Sequence, residues 1–139
     1  MLREGLIHLS HSDVAKDVVT KTPLKKMARR FVAGESVDDL MTAIREANAE
    51  GMGAIANFLG ESVHDEGSAR LAAETYLEIL DRIAAEELDA YVSVKFTALG
   101  QDISDGFLAE NMEPVLQRAK DDGLFLRFDT ESSEYTERT

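Results

Sequence analysis

Three apolar segments recur along this chain, about 35 residues apart, and each ends in polar or charged residues. They span residues 54–59, 91–97 and 124–129, and their alternating β-branched and aromatic side chains are typical of strands. The stretches between them carry apolar residues at helical spacing. Strands that alternate with helices in this way form parallel sheets, so we predict an α/β fold.

Capping residues and apolar periodicity predict the first two helices of the repeat. Ser36 and Asp39 match a capping box, and the helix that follows should end at Gly51. Ser68 is the predicted N-cap of the next helix, whose apolar positions recur at intervals of three and four residues. These positions are Ala72, Tyr76, Ile79, Leu80, Ile83 and Ala84. Each helix therefore has one face to bury against the sheet.

A third helix is predicted before the last strand. Pro114 would break a helix interior, so we expect the helix to begin near Asn111, with the proline in its first turn, and to end at Gly123. Ahead of the repeat, apolar residues at helical spacing predict further helices. We therefore divide the chain into an N-terminal helical segment, residues 1–37, and a domain of alternating strands and helices, residues 38–139.

Composition excludes several classes of function. The chain of 139 residues has 27 acidic and 15 basic residues, a net charge of −12, and so offers no basic surface for nucleic acid or an anionic membrane. It has no cysteine, and its three histidines show no spacing suited to a metal site. The sequence contains neither an apolar run long enough to span a membrane nor the basic and apolar regions of a signal peptide. We therefore predict a cytoplasmic protein that binds no metal.

Polar residues gather on one face of the predicted strands, near their carboxyl ends. They are Glu61, just beyond the first strand, and Ser93, Lys95, Thr97, Arg127 and Asp129. Lys95 could pair with Asp129 across adjacent strands, and Arg127 could pair with Glu61. One interpretation is a buried ion-pair network that fills a barrel interior. The other, which we favour, is a polar pocket for a charged ligand, because chemistry in parallel α/β folds gathers at the carboxyl ends of strands.

Lys95 could act in three ways in such a pocket. It could form a Schiff base, as buried lysines of low pKa do, or bind an anionic group of a substrate or cofactor. It could also hold a carboxylate partner in place. Periodicity does not choose among these roles, so each stays open on the residues alone.

Five strings of the sequence resemble those of the proline dehydrogenase family, in the same order and at similar spacing. They are RFVAGE at residues 30–35, NFLGES at 57–62, VSVKFTALG at 92–100, RFDTE at 127–131 and SEYT at 133–136. The most specific feature is the Val-Ser-Val-Lys strand, followed by a strand that ends in Asp-x-Glu. Phe96 and Thr130 depart from the pattern, because an apolar residue such as leucine is expected at both positions.

This resemblance implies a distorted (β/α)8 barrel that binds FAD and oxidises L-proline to pyrroline-5-carboxylate. Hydride passes to the flavin, and electrons pass on to an acceptor such as quinone. By the same resemblance, Lys95 lies beside the flavin and the proline carboxylate, Asp129 pairs with Lys95 near the flavin, and Glu61 orients a substrate-binding arginine. We therefore predict Lys95, Asp129 and Glu61 as catalytic residues. The predicted cofactor-binding residues are Lys95, Asp129 and Thr97.

The strand count predicts only the first part of that barrel. Eight strands are needed to close it, and three are predicted in this sequence. The family's paired substrate-binding arginines, its substrate-side tyrosines and most of its flavin contacts belong to later strands and to the last helix. We therefore expect an incomplete proline dehydrogenase, truncated at the C-terminus. The alternatives are a non-catalytic fragment that needs a partner chain to supply the rest of the barrel, and an unrelated barrel enzyme with Lys95 as a Schiff-base lysine.

Overall fold

The computed structural model describes residues 32–60 and 62–135, and its helices and strands all lie in the unit Ser36–Thr139. Helices and strands alternate along the chain, as predicted. They are α1 (Val37–Ala49), β1 (Ala54–Asn57), α2 (Glu66–Ala85), β2 (Ala90–Val94), α3 (Asp105–Asp121) and β3 (Leu126–Phe128). The helices predicted before residue 32 lie outside the described residues, so the division at residue 37 stays a prediction.

The three strands form one parallel sheet in the order β1-β2-β3. In this register Asn57 lies opposite Ser93, and Ser93 lies opposite Arg127. Each strand is shorter than predicted. In particular, β2 ends at Val94, because the chain then turns into a short 3-10 helix over Thr97–Leu99. Residues 95–97, predicted as strand, therefore form a turn above the end of the sheet.

The predicted capping box of α1 is confirmed. The Ser36 hydroxyl accepts a hydrogen bond from the Asp39 backbone N–H at 3.2 Å, and the Asp39 carboxylate accepts one from the Ser36 N–H at 3.3 Å. These reciprocal bonds satisfy donors that the first helical turn leaves without partners. After the helix, the chain turns through Gly51 at a φ of 78°, a left-handed conformation that glycine adopts at little cost.

The prediction that Ser68 caps α2 is wrong. The helix begins three residues earlier, and its N-cap is Asp65, whose carboxylate accepts the Ser68 backbone N–H at 2.8 Å. Aspartate is as good an N-cap as serine, and here it occupies the extended position before the first turn. This hydrogen bond is the main reason that the pKa of Asp65 falls below its ordinary value.

The predicted start of α3 near Asn111 is also wrong. Ser104 is the N-cap and accepts the Phe107 backbone N–H at 3.1 Å, so Pro114 lies in the helix interior. The proline is on the exposed side, where the carbonyl that loses its usual donor can be hydrated. Asn111 is instead buried, and its side chain donates to the Leu99 carbonyl at 3.0 Å.

Within residues 32–60 and 62–135, the helices cover one face of the sheet, and no described helix covers the other, here called the open face. The covered face packs Ala56, Val92 and Val94 against the apolar sides of the helices, and all three are fully buried. On the open face, Leu59 is 74% exposed and Phe125 is 65% exposed. This division matches the predicted alternation for the residues that lie in strands, and Ser93 of β2 and Arg127 of β3 belong to the open face.

Among the described residues, no helix is both long and apolar enough to cross a membrane.

Candidate active site

Polar side chains from all three strands meet at the carboxyl end of the sheet. Asn57, Ser93 and Arg127 lie at one level of the register, and Asp129 follows β3 by one residue. Because alternate residues of a strand share a face, these four side chains lie on the open face of the sheet. Parallel pairing is therefore what brings residues more than 30 positions apart into one group.

Asp129 is the centre of this group. Its carboxylate accepts hydrogen bonds from the Ser93 hydroxyl at 2.6 Å, from Arg127 Nε at 3.0 Å and from Asn57 Nδ2 at 3.4 Å. Arg127 Nε also reaches the Ser93 oxygen at 3.1 Å. One carboxylate therefore holds a cation, an amide and a buried hydroxyl from three different strands.

These contacts lower the pKa of Asp129. The largest cause is the hydrogen bond from Ser93, and the hydrogen bond and charge of Arg127 and the charge of Lys95 act in the same direction. Burial opposes them without reversing the effect. Asp129 is therefore a carboxylate at neutral pH, as an acid that orients cations must be.

Lys95 is the first residue after β2, and its side chain is partly buried. Its backbone N–H donates to the Tyr76 hydroxyl at 3.4 Å, which ties the end of the strand to α2. Tyr76 is fully buried in the core, and this burial raises its pKa to about 12. The negative charges of Asp129 and Glu131 raise that pKa further, so Tyr76 stays neutral.

The structure shows a partner of Arg127 that was not predicted. Arg127 binds Asp129, and its predicted pairing with Glu61 stays a prediction, because Glu61 lies outside the described residues. The positive charge of Lys95 is among the causes that lower the pKa of Asp129. The predicted pairing of their side chains stays a prediction. The sequence did not show that Arg127 would bind an acid two residues away on its own strand.

Thr97 occupies the turn beyond Lys95 and is fully buried. Its backbone N–H donates to Glu131 Oε2 at 3.1 Å, and its hydroxyl donates to Glu131 Oε1. The same hydroxyl accepts the backbone N–H of Ser62 at 3.1 Å. Glu131 was not among the predicted site residues, although it stands two residues after Asp129 in the Asp-x-Glu string.

A second contact links the loops that follow the strands. The Tyr135 hydroxyl donates to Asp102 Oδ2 at 2.9 Å, and His64 Nδ1 lies 3.7 Å from the same oxygen. Hydrogen bonding to Asp102 is the main cause that raises the pKa of Tyr135. These residues come from the loops after β1, β2 and β3, so the three loops are joined at their outer side as well.

The site offers cations and hydrogen-bonding groups rather than metal ligands. Within residues 32–60 and 62–135, no group of three or more histidine, aspartate or glutamate residues could hold a metal ion. Lys95 and Arg127 can attract an anion or the polar edge of a ring, and Asn57 offers a partly free amide. The exposed apolar side chains next to them would suit a flat aromatic group.

The lowered pKa of Asp129 predicts how its contribution to stability depends on pH. A carboxyl with a folded pKa below the unfolded value stabilises the fold above the unfolded pKa, which is near 3.8 for aspartate. That contribution is lost as the pH falls through the lower, folded pKa. We expect the difference in unfolding free energy between the wild type and D129N to shrink as the pH is lowered from about 5 to the lowest pH at which both proteins still fold. Urea titrations would measure this difference. A difference that stays constant or grows as the pH is lowered would contradict a lowered pKa for Asp129.

Comparison with known proteins places the chain in a family. A family model described as proline dehydrogenase matches residues 40–139. Proline dehydrogenase 1 of Bacillus subtilis (strain 168) is 27% identical over 139 residues, which is 100% of this chain and 46% of that protein. Proline dehydrogenase of Deinococcus radiodurans is 26% identical over 108 residues, covering 76% of this chain and 35% of the relative. The chain spans about half the length of the Bacillus relatives that it matches.

A solved structure has the same fold. The crystal structure of proline utilization A (PutA) from Bdellovibrio bacteriovorus, inactivated by N-propargylglycine, matches with a TM-score of 0.71 at 23% sequence identity. The match covers 89% of this chain and 15% of that one. It confirms the predicted α/β fold as part of a TIM-type barrel. Since the family model covers most of the sequence, the chain belongs to the proline dehydrogenase family.

Proposed function

We propose that this chain provides the first strands of a flavin site at which L-proline is oxidised to pyrroline-5-carboxylate. The observation that carries the proposal is the cluster around Asp129, with Lys95 and Arg127 beside it, at the carboxyl end of the sheet. In barrels of this type the carboxyl ends of the strands form the active site. The reaction that we propose for the carboxyl ends of these strands is the one named in the description of the chain's family.

The residues at the strand ends fit FAD in two respects. Lys95 and Arg127 would offer positive charge to the polar part of the flavin ring, and Asn57 would offer an amide. Ile55 and Leu59 leave apolar surface open on the same face of the sheet, where a flat ring can pack. When bound, FAD would supply the acceptor for the hydride that leaves proline.

The proposed role of the chain's own residues is to bind the substrate and to hold the charged groups of the site in place. Lys95 would attract the carboxylate of proline, and its positive charge would stabilise negative charge on a bound flavin. Asp129 stays ionised and fixes Arg127, so that the positive charge does not move when ligands enter. Neither residue needs to transfer a proton for this role.

Two predicted roles rest on the resemblance alone. Glu61 is proposed to orient a substrate-binding arginine, and it lies outside the described residues. Thr97 is proposed to contact the cofactor, although within the chain its hydroxyl already binds Glu131 and Ser62. An electron acceptor such as quinone and a cytoplasmic location belong to the same proposal.

The open face of the sheet suggests that full activity requires more strands than this chain provides. Leu59 and Phe125 leave large apolar side chains exposed, and the relatives are about twice as long as this chain. We propose that further strands must cover this face for full activity, supplied by more of the same polypeptide or by a partner chain.

The experiment that tests the function measures reduction of an artificial electron acceptor by L-proline. The chain is assayed with FAD, alone and mixed with the C-terminal half of the Bacillus proline dehydrogenase 1, which would complete the barrel. We expect acceptor reduction with L-proline and none with D-proline. No reduction in either preparation, with FAD shown to be bound, would contradict the proposal.

A further inference from the structure

Thr97 joins three segments of the chain at the carboxyl end of the sheet. It is one of four buried polar or charged residues among those described. Both its backbone and its side chain form hydrogen bonds with residues of other loops. Its N–H and hydroxyl donate to the two oxygens of Glu131, which follows β3. Its hydroxyl and carbonyl accept the backbone N–H groups of Ser62 and Val63, each at 3.1 Å, from the loop after β1.

The loop after β1 needs such support. Ser62 has a φ of 54°, a left-handed conformation that residues other than glycine seldom adopt. A residue in such a conformation persists only when its surroundings hold it there. The acceptors that hold the backbone at this point include the hydroxyl and the carbonyl of Thr97. Loss of the hydroxyl would therefore leave the Ser62 N–H without this acceptor and the strained turn less restrained.

The position of these contacts relates them to the candidate site. Thr97 follows Lys95 by two residues, and Glu131 follows Asp129 by two residues. The Thr97–Glu131 contact therefore joins the segment that follows Lys95 to the segment that follows Asp129. Thr97 is buried and Glu131 is partly buried, and both donors of Thr97, its backbone N–H and its hydroxyl, bind the Glu131 carboxylate. These hydrogen bonds can fix the strand ends whether or not Thr97 also contacts a ligand.

We propose that Thr97 and Glu131 are positioning residues, which hold the loop after β1 against the ends of β2 and β3 and so keep the polar groups of the site in one arrangement. Their importance for catalysis rests on the proposed function. Their effect on the loop does not, since it follows from hydrogen bonds within the chain.

Amide hydrogen exchange of the chain, followed by NMR, tests the proposal without cofactor or substrate. We compare T97V, which removes the hydroxyl at nearly constant volume, with T97S, which keeps it. In T97V we expect exchange at the Ser62 and Val63 amides to become about tenfold faster, while the Val92 and Val94 amides in the sheet change little. In T97S all four amides should exchange at nearly the wild-type rate.

The Val63 amide makes this test specific. Its acceptor is the backbone carbonyl of Thr97, which both variants retain, so faster exchange there reports release of the loop rather than loss of one acceptor. T75V is the matched control, because among the described residues the Thr75 hydroxyl donates within its own helix, to the Leu71 carbonyl at 2.8 Å. It should leave exchange at Ser62 and Val63 unchanged.

The proposal is overturned if T97V leaves exchange at Ser62 and Val63 within about twofold of the wild type. It is also overturned if T97V accelerates the loop and the sheet amides equally, since that would show a general loss of stability. If T97V does not fold, E131Q gives the same test by replacing one of the two acceptor oxygens with a donor, and T97S must still behave as the wild type. Failure of the proline assay would leave these results unaffected.

Discussion

Replacement of Asp129 by asparagine is expected to slow the reduction of bound flavin by L-proline by on the order of 100-fold. Asparagine has nearly the same shape, but it removes the negative charge that holds Arg127 and presents an N–H₂ group where an acceptor is needed. Arg127 and the buried Ser93 hydroxyl must then find other partners. A displacement of about 1 Å in such positioning groups is enough for a rate loss of this size.

The rate is measured by anaerobic rapid mixing of the flavin-loaded protein with L-proline, in whichever preparation is active. D81N is the matched control, since Asp81 also pairs with an arginine, Arg118, but on the exposed surface of α2 and α3. Exposed ion pairs contribute little, so D81N should keep a nearly wild-type rate. Equal rates for D129N and D81N would show that the Asp129 cluster does not position the reacting groups.

Replacement of Lys95 by methionine should have a similar or larger effect, on the order of 100- to 1000-fold on kcat/KM for proline. Methionine retains the length and apolar stem of the side chain and removes only the charge. That charge is proposed to attract the proline carboxylate and to stabilise negative charge at the ring. K95R should recover part of the loss, because it restores the charge with a different geometry.

Lys120 offers the control for this prediction. It is exposed in the last turn of α3, away from the carboxyl end of the sheet, so K120M removes the same charge from the chain without changing the site. The comparison also tests the Schiff-base alternative. Borohydride treatment with a carbonyl compound would label Lys95 if it formed a Schiff base, whereas we expect no Lys95-dependent labelling.

Local patterns were enough to predict the order of the elements and the polar face of the sheet. The capping box at Ser36 and Asp39 is formed as predicted, because all its groups lie within four residues. Strand parity placed Ser93 and Asp129 on one face, where they form a hydrogen bond. Such features depend on spacing along the chain, and spacing can be read from the sequence.

The predictions that failed depended on a choice between competing residues. Asp65 and Ser68 can both cap a helix, and only the packing of α2 decides between them. Pro114 lies inside α3 because its side of the helix is exposed, a fact that the local sequence does not contain. The contact of Arg127 with Asp129 and Ser93 was not predicted at all, because it depends on the sheet register.

The contacts of Thr97 illustrate the same limit. Strand parity placed it beside Lys95 on the open face, but the strand ends at Val94 and the chain turns. The hydroxyl consequently points to Glu131 and Ser62, contacts that join residues 34 and 35 positions apart. Only the three-dimensional arrangement of the loops reveals this role.

The most direct test of the central claim is the visible spectrum of the flavin-loaded protein during anaerobic addition of L-proline. We predict that the flavin band bleaches with L-proline, stays unchanged with D-proline, and bleaches far more slowly in D129N and K95M than in their surface controls. A flavin that is bound but unchanged by L-proline, in the chain alone and in the completed barrel, would contradict the assignment of the strand ends as a proline-oxidising site.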